Sequence, residues 1–227
     1  MQLIAMHGWA GDAQVWEPFH HTWSAHGWAW QCGERGYSGQ APRSVDWQND
    51  QGLKLVIAHS LGPHLLPDAV LAQADAVVLL ASFGMFVPGG AGGGRLRSAI
   101  AAMTSQLSGP EASTMLETFM ERAAAPQSTS LLPPGIAAFP LDASGRQRLA
   151  QDLKLLAATA GLPPCFPLQA RVLIVEGGED QILNPQARHQ LRCLLPAADT
   201  LVLAGVGHCL LSPALVPTVC GWIEGLS

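Results

Sequence analysis

Six short apolar runs recur along the chain and leave few ways to fold it. They are "QLIAM" (2–6), "WAWQC" (28–32), "LKLVIA" (53–58), "AVVLLAS" (76–82), "RVLIVEG" (171–177) and "TLVLAG" (200–205). Each is continuously apolar rather than alternating, the pattern of strands covered on both faces of a parallel sheet. Helical patterns at 61–73, 186–194 and 213–225 lie between or after them. Strand and helix in alternation predict an α/β fold: a mostly parallel open sheet with helices on both faces.

The alternation stops between residues 84 and 168. "RLRSAIAAMTSQL", "PEASTMLETFMERAAA" and "GRQRLAQDLKLLAATAG" read as amphipathic helices with no strand between them. "VPGGAGGG" (87–94) reads as a flexible hinge before the first, and "PQSTSLLPPG" and "LPPCFP" as proline-rich breaks. The expected organisation is a sheet core of 1–83 and 169–227 with a helical cap, 84–168, inserted into it.

Within this frame "AHSLG" (58–62) follows one strand and opens a helical pattern. That is the setting of a nucleophile elbow, where a tight turn lifts a serine out of the sheet. Ser60 is the candidate nucleophile; the structural alternative is a helix N-cap. A serine needs a base, and the base an orienting acid. Asp180 follows the strand at 171–177, and His208 follows the strand at 200–205. All three fall at carboxyl ends of strands, where open α/β sheets bind ligands. Glu176 and Glu179 are the competing carboxylates, and Asp180 lies deepest in its loop. His59 and His64 flank the serine, but neighbours at an elbow point away from it. For the oxyanion, the expected donors are the N–H groups of Leu61 and of Trp9, in the loop "AMHGWAGD" after the first strand.

"HGWAGDAQVWEPF", "AHSLG", "GGEDQILNP" and "GVGHCLLS" together resemble the α/β-hydrolase superfamily over nearly the whole chain. Among its branches the closest resemblance is to the pimeloyl-[acyl-carrier protein] methyl ester esterases of biotin synthesis. The departures are Ala58 for the first elbow glycine, Pro63 for the glycine after the motif, and one extra residue before Pro185. The resemblance implies a serine carboxylesterase working through Ser60, Asp180 and His208 with no metal or organic cofactor. It also implies an acyl-carrier protein as partner, docked on the cap, and Phe119, in "LETFMERA", lining the acyl channel. Trp9, Ser60, Leu61, Phe119 and His208 would then touch substrate, with Met115 and Met120 as further channel candidates. A generic small-molecule esterase or thioesterase with the same triad, and a non-catalytic binding protein on the same scaffold, are the alternatives.

Charge fits a carrier on the cap. The chain has 12 Lys and Arg against 17 Asp and Glu, but the cap holds six basic and five acidic residues. Arg95, Arg97, Arg122, Arg146 and Arg148 are the candidate carrier contacts; ordinary solvated helix faces are the alternative. The acidic balance argues against nucleic acid as a partner. Five scattered cysteines without a C-x-x-C pair argue against a zinc site or a disulfide framework. With no signal-like start and no membrane-length apolar stretch, the expectation is a cytoplasmic monomer that does not engage membranes.

Overall fold

The computed structural model describes residues 1–48, 52–136 and 140–226. Residues 137–139 of the expected cap lie outside the described residues. Six strands form one sheet: β1 (Gln2–Met6), β2 (Ala29–Cys32), β3 (Lys54–His59), β4 (Ala76–Leu80), β5 (Arg171–Gly177) and β6 (Asp199–Leu203). Their spatial order is β2-β1-β3-β4-β5-β6, with every neighbouring pair parallel. Between β1 and β3 the order reverses direction, which opens a crevice at their carboxyl ends.

Both faces of the sheet are buried, as the continuous apolar runs require. Along β3, Leu55 and Ile57 face one core and Val56 and Ala58 the other. The first core is closed by α1 (Glu17–Ala25) and α7 (Leu215–Glu224), through Phe19, Trp23, Val219 and Ile223. The second is closed by α2 (Asp68–Ala72) and α6 (Pro185–Leu194), through Val70, Leu71 and Leu191. No helix among the described residues is long and apolar enough to cross a membrane.

Between β4 and β5 lie α3 (Gly90–Leu107), α4 (Ala112–Ala124) and α5 (Ala143–Ala158). They cover a third apolar cluster that joins Trp9, Leu61 and Phe83 of the sheet side to Ile100, Met115, Leu116, Leu149 and Leu153. The glycine run is not a hinge: Gly90–Gly94 form the first turn of α3. A side chain at Gly93 would collide with the Pro88 carbonyl, so the glycines permit close backbone packing. The helix expected at 61–73 is also corrected. A short 3-10 turn spans Gly62–His64, and α2 begins only at Asp68. Pro67, extended at ψ 138°, stands between them and cannot donate the hydrogen bond a continuous helix needs.

One buried ion pair fastens α5 to the sheet. Arg35 Nε and Nη2 donate to Asp152 at 2.8 and 2.7 Å, and the Tyr37 hydroxyl donates to the same carboxylate at 2.6 Å. Stranding one member of such a pair costs about 3–5 kcal/mol. The cost is lower here for the guanidinium, which keeps 30% of its surface in solvent.

Candidate active site

Ser60 sits at the end of β3 with φ +55°, a left-handed conformation that is strained for a residue with a side chain. Its backbone is held from both sides. The Ser60 N–H donates to the Leu80 carbonyl at 2.8 Å, and the Ser60 carbonyl accepts from the Ser82 hydroxyl at 2.7 Å. The departure at Ala58 is accommodated by the glycine it faces. A Cβ on Gly62 would lie 3.2 Å from the Ala58 Cβ and 2.5 Å from the Met6 carbonyl, so one methyl fits where two would not.

The serine, histidine and aspartate expected from the sequence meet. Ser60 Oγ is 3.0 Å from His208 Nε2, and His208 Nδ1 is 2.8 Å from Asp180 Oδ2. An ionised carboxylate only accepts, so Nδ1 carries the proton and Nε2 is left to accept from the serine. Burial alone would raise the Asp180 carboxyl. The adjacent His208 and the Leu183 and Ile182 N–H groups outweigh it and hold the carboxyl below its ordinary range. Those amides donate to Asp180 Oδ1 at 2.9 and 2.7 Å, fixing the acid from its other oxygen. Of the competing carboxylates, Glu176 is paired with Arg192 at 2.6 Å and Glu179 is exposed.

Two peptide groups near the serine are held by bonds on their carbonyl side. In a planar trans peptide the N–H points opposite to the C=O. The Gly8 carbonyl accepts from His7 Nδ1 at 2.8 Å and from the Gly11 N–H at 3.2 Å, which turns the Trp9 N–H the other way. The Ser60 carbonyl, held by Ser82, does the same for the Leu61 N–H. Neither N–H donates to another protein group among the described residues. Gly8 allows the approach, since a side chain there would sit 2.8 Å from the Ser60 Cβ. No motif announced Ser82, and the H-G-W motif that contains His7 did not announce this role for it. Removing the hydroxyl in Ser82→Ala should lower kcat about tenfold with little change in KM, because one oxyanion donor loses its orientation. Steady-state kinetics on a nitrophenyl ester check this.

His59 has no hydrogen bond to the serine hydroxyl among the described residues, and it packs against the base. Its Nε2 donates to the His208 carbonyl at 2.9 Å, and the two rings are 5.0 Å apart. Burial first, then the neighbouring His208, pushes its pKa down to about 3. An unfolded histidine titrates near 6.5, so between about pH 6.5 and 3 the unfolded chain binds the proton that the folded chain refuses. Stability therefore falls as pH drops through that window. In His59→Phe the loss between pH 7 and 4.5 should shrink by on the order of 2 kcal/mol, as read by urea unfolding at the two pH values.

The site opens into a cavity of about 680 Å³ under the cap. Ser60, Trp9 and Ile182 form its floor side, with Ile100 and Met103 of α3, Met115, Phe119 and Arg122 of α4, and Leu153 of α5 around it. Phe119 meets Trp9 edge-on, with ring centroids 4.8 Å apart, and Trp9 Nε1 donates to the Leu149 carbonyl at 2.9 Å. Met115 lines this cavity; Met120 does not.

The five candidate carrier contacts divide. Arg95, Arg97 and Arg122 are exposed on α3 and α4. Arg146 Nη1 donates to the Leu107 and Gly109 carbonyls at 2.9 Å each, and Arg148 Nε donates to the Gly36 carbonyl at 3.0 Å. Those two are half-buried braces of the cap. All five cysteines are unpaired, and burial raises the Cys209 thiol, next to the base, to about 12.

No protein-family profile and no curated protein matches the chain. Solved structures do match. An esterase from Exiguobacterium antarcticum aligns with a TM-score of 0.75 at 12% identity, covering 99% of this chain and 92% of its own. A hydrolase from Oleispira antarctica gives 0.73 at 13%, covering 99% and 91%. An enol-lactonase from Burkholderia xenovorans gives 0.71 at 13%, covering 98% and 91%. The fold is that of the α/β-hydrolases.

Proposed function

We propose that the chain is a serine carboxylesterase. The observation that carries this is the relay Ser60–His208–Asp180, with spacings of 3.0 and 2.8 Å, opening on a largely apolar chamber. Ser60 Oγ attacks the ester carbonyl carbon while His208 Nε2 takes the hydroxyl proton. Charge on the carbonyl oxygen is met by the Trp9 and Leu61 N–H groups. The C–O bond breaks, His208 gives its proton to the leaving alkoxide, and an acyl-Ser60 remains. Water then loses a proton to His208, adds to the acyl carbon, and releases the acid as the proton returns to Ser60. Asp180 positions the imidazole and balances its charge. Protein groups and one water complete the cycle. Two of the matching structures are an esterase and an enol-lactonase, which is in keeping with this reading.

The finer form of this reading is hydrolysis of the methyl ester of pimeloyl-[acyl-carrier protein] in the cytoplasm. It is supported by the cap chamber of about 680 Å³ and by the exposed Arg95, Arg97 and Arg122 on the helices that line it. Arg122 lines the chamber itself. A carrier docked there would present only the far ester to Ser60 and keep the thioester out of reach. The test is complementation of a biotin-requiring strain that lacks its own methyl esterase. Growth without biotin is the expected result. Failure by expressed protein that still cleaves nitrophenyl esters would leave the generic esterase.

A further inference from the structure

A second cavity, of about 190 Å³, lies on the His208 side of the site. Ser60 lines the first cavity and not the second; His208 lines the second and not the first. Trp9 and Phe119 line both, so the two cavities adjoin at this edge-to-face pair. The walls of the small cavity include Val15, Met120, Leu132, Leu215 and Val216. No Lys, Arg, Asp or Glu is among its described lining residues.

The chemistry of the relay sorts the two halves of an ester between these spaces. The acyl carbon becomes bonded to Ser60 Oγ, so its chain trails into the chamber that Ser60 lines. The leaving oxygen must come within hydrogen-bond reach of His208 to receive the proton, so the alcohol half starts on the side that His208 lines.

We propose that the small cavity is the leaving-group site, and that it takes an uncharged apolar alcohol about the size of a benzyl or hexyl group. This rests on the serine-esterase reading in its generic form and stands against the methyl ester as the substrate. A dry apolar cavity of about 150 Å³ holds one benzene molecule, so the space here matches one ring or a six-carbon chain. A methyl group leaves most of it unfilled. Uncharged walls offer a cationic or anionic alcohol no partner in exchange for its lost hydration.

The experiment holds the acyl group constant as hexanoate and varies the alcohol. Methyl, butyl, hexyl, benzyl, 3,3-dimethylbutyl and choline esters are hydrolysed by the full chain in a pH-stat. The quantity read is kcat/KM, which reports the steps through acylation and leaves out the deacylation common to all. Methanol, hexanol and benzyl alcohol are similar leaving groups, so a trend among them reports binding. kcat/KM should rise at least tenfold from methyl to hexyl and benzyl, about the discrimination a single methylene gives in an apolar pocket. The choline ester should be slower than its uncharged isostere, the 3,3-dimethylbutyl ester. Leu132→Trp and Met120→Trp, which enlarge two different lining residues of the cavity, should each lower the benzyl-to-methyl ratio at least tenfold. A wild-type preference for methyl, or a ratio that neither variant moves, overturns the proposal. Hydrolysis of none of these esters would overturn the serine-esterase reading, and the leaving-group site with it.

Discussion

Ser60→Ala should lower kcat about a million-fold on any ester the wild type hydrolyses, the scale of loss when the serine of such a triad is removed. The loss is large because His208 then has no hydroxyl to deprotonate, and no acyl-enzyme forms. Removal of one oxygen leaves the chamber and both oriented N–H groups in place, so KM should change little. A fluorophosphonate probe should label the wild type and leave the variant unlabelled. Labelling also separates the esterase from a binding protein on the same scaffold, which has no activated hydroxyl to react. Hydrolysis within a hundredfold of wild type in Ser60→Ala would remove the serine from the mechanism. A companion variant reads the strain. Ser60 is held at φ +55°, so Ser60→Gly should be equally inactive yet more stable by about 1 kcal/mol in urea unfolding.

Asp180→Asn is the second large effect, with an expected loss in kcat of about ten-thousand-fold. The variant keeps the shape of the side chain. Its amide oxygen can still accept from the Ile182 and Leu183 N–H groups that the Asp180 carboxylate binds. What changes is the direction of the bond to His208. An amide nitrogen facing Nδ1 donates, so the imidazole proton moves to Nε2, and Nε2 no longer accepts from Ser60. Stability should respond with a defined sign. The Asp180 carboxyl is depressed in the folded state, so it contributes stability above the unfolded value near 3.9 and loses it as pH falls below that. The wild type should therefore exceed the variant at pH 7, and the gap should close below about pH 4. Equal kcat for the two proteins would place the orienting acid elsewhere.

The parts of this site that were legible in the sequence are those tied to strand ends. Ser60, Asp180 and His208 each follow a continuous apolar run, and a parallel sheet brings such ends to one rim whatever the helices do. The Trp9 loop was legible for the same reason. Local patterns that depend on packing misled. The glycines at 90–94 look like a hinge in composition, yet Gly93 lies where only a bare backbone fits beside Pro88. Residues 61–73 carry a helical pattern of apolar side chains, yet Pro67 divides them. The braces were not legible at all. Arg148 meets a carbonyl 112 residues away and Arg35 a carboxylate 117 residues away, separations at which neither spacing nor charge announces a partner. Ser82, and the role of His7 within its motif, were hidden differently, since their bonds are made on the carbonyl side of peptides whose N–H side would meet the oxyanion.

The bond from the Trp9 indole to the Leu149 carbonyl bears on how such proteins diversify. In the proposed mechanism Trp9 contributes its backbone to the reacting centre, while its side chain is anchored in α5. Inserted caps are often pictured as interchangeable parts, swapped by recombination at the two points where they leave the sheet. In this chain a foreign cap would have to supply an acceptor where Leu149 offers one and a ring where Phe119 stands. Otherwise the exchange would disturb the catalytic loop as well as the substrate range. Cap and loop are thus mechanically coupled, and substitutions along the cap helices should disturb the loop less than their replacement would.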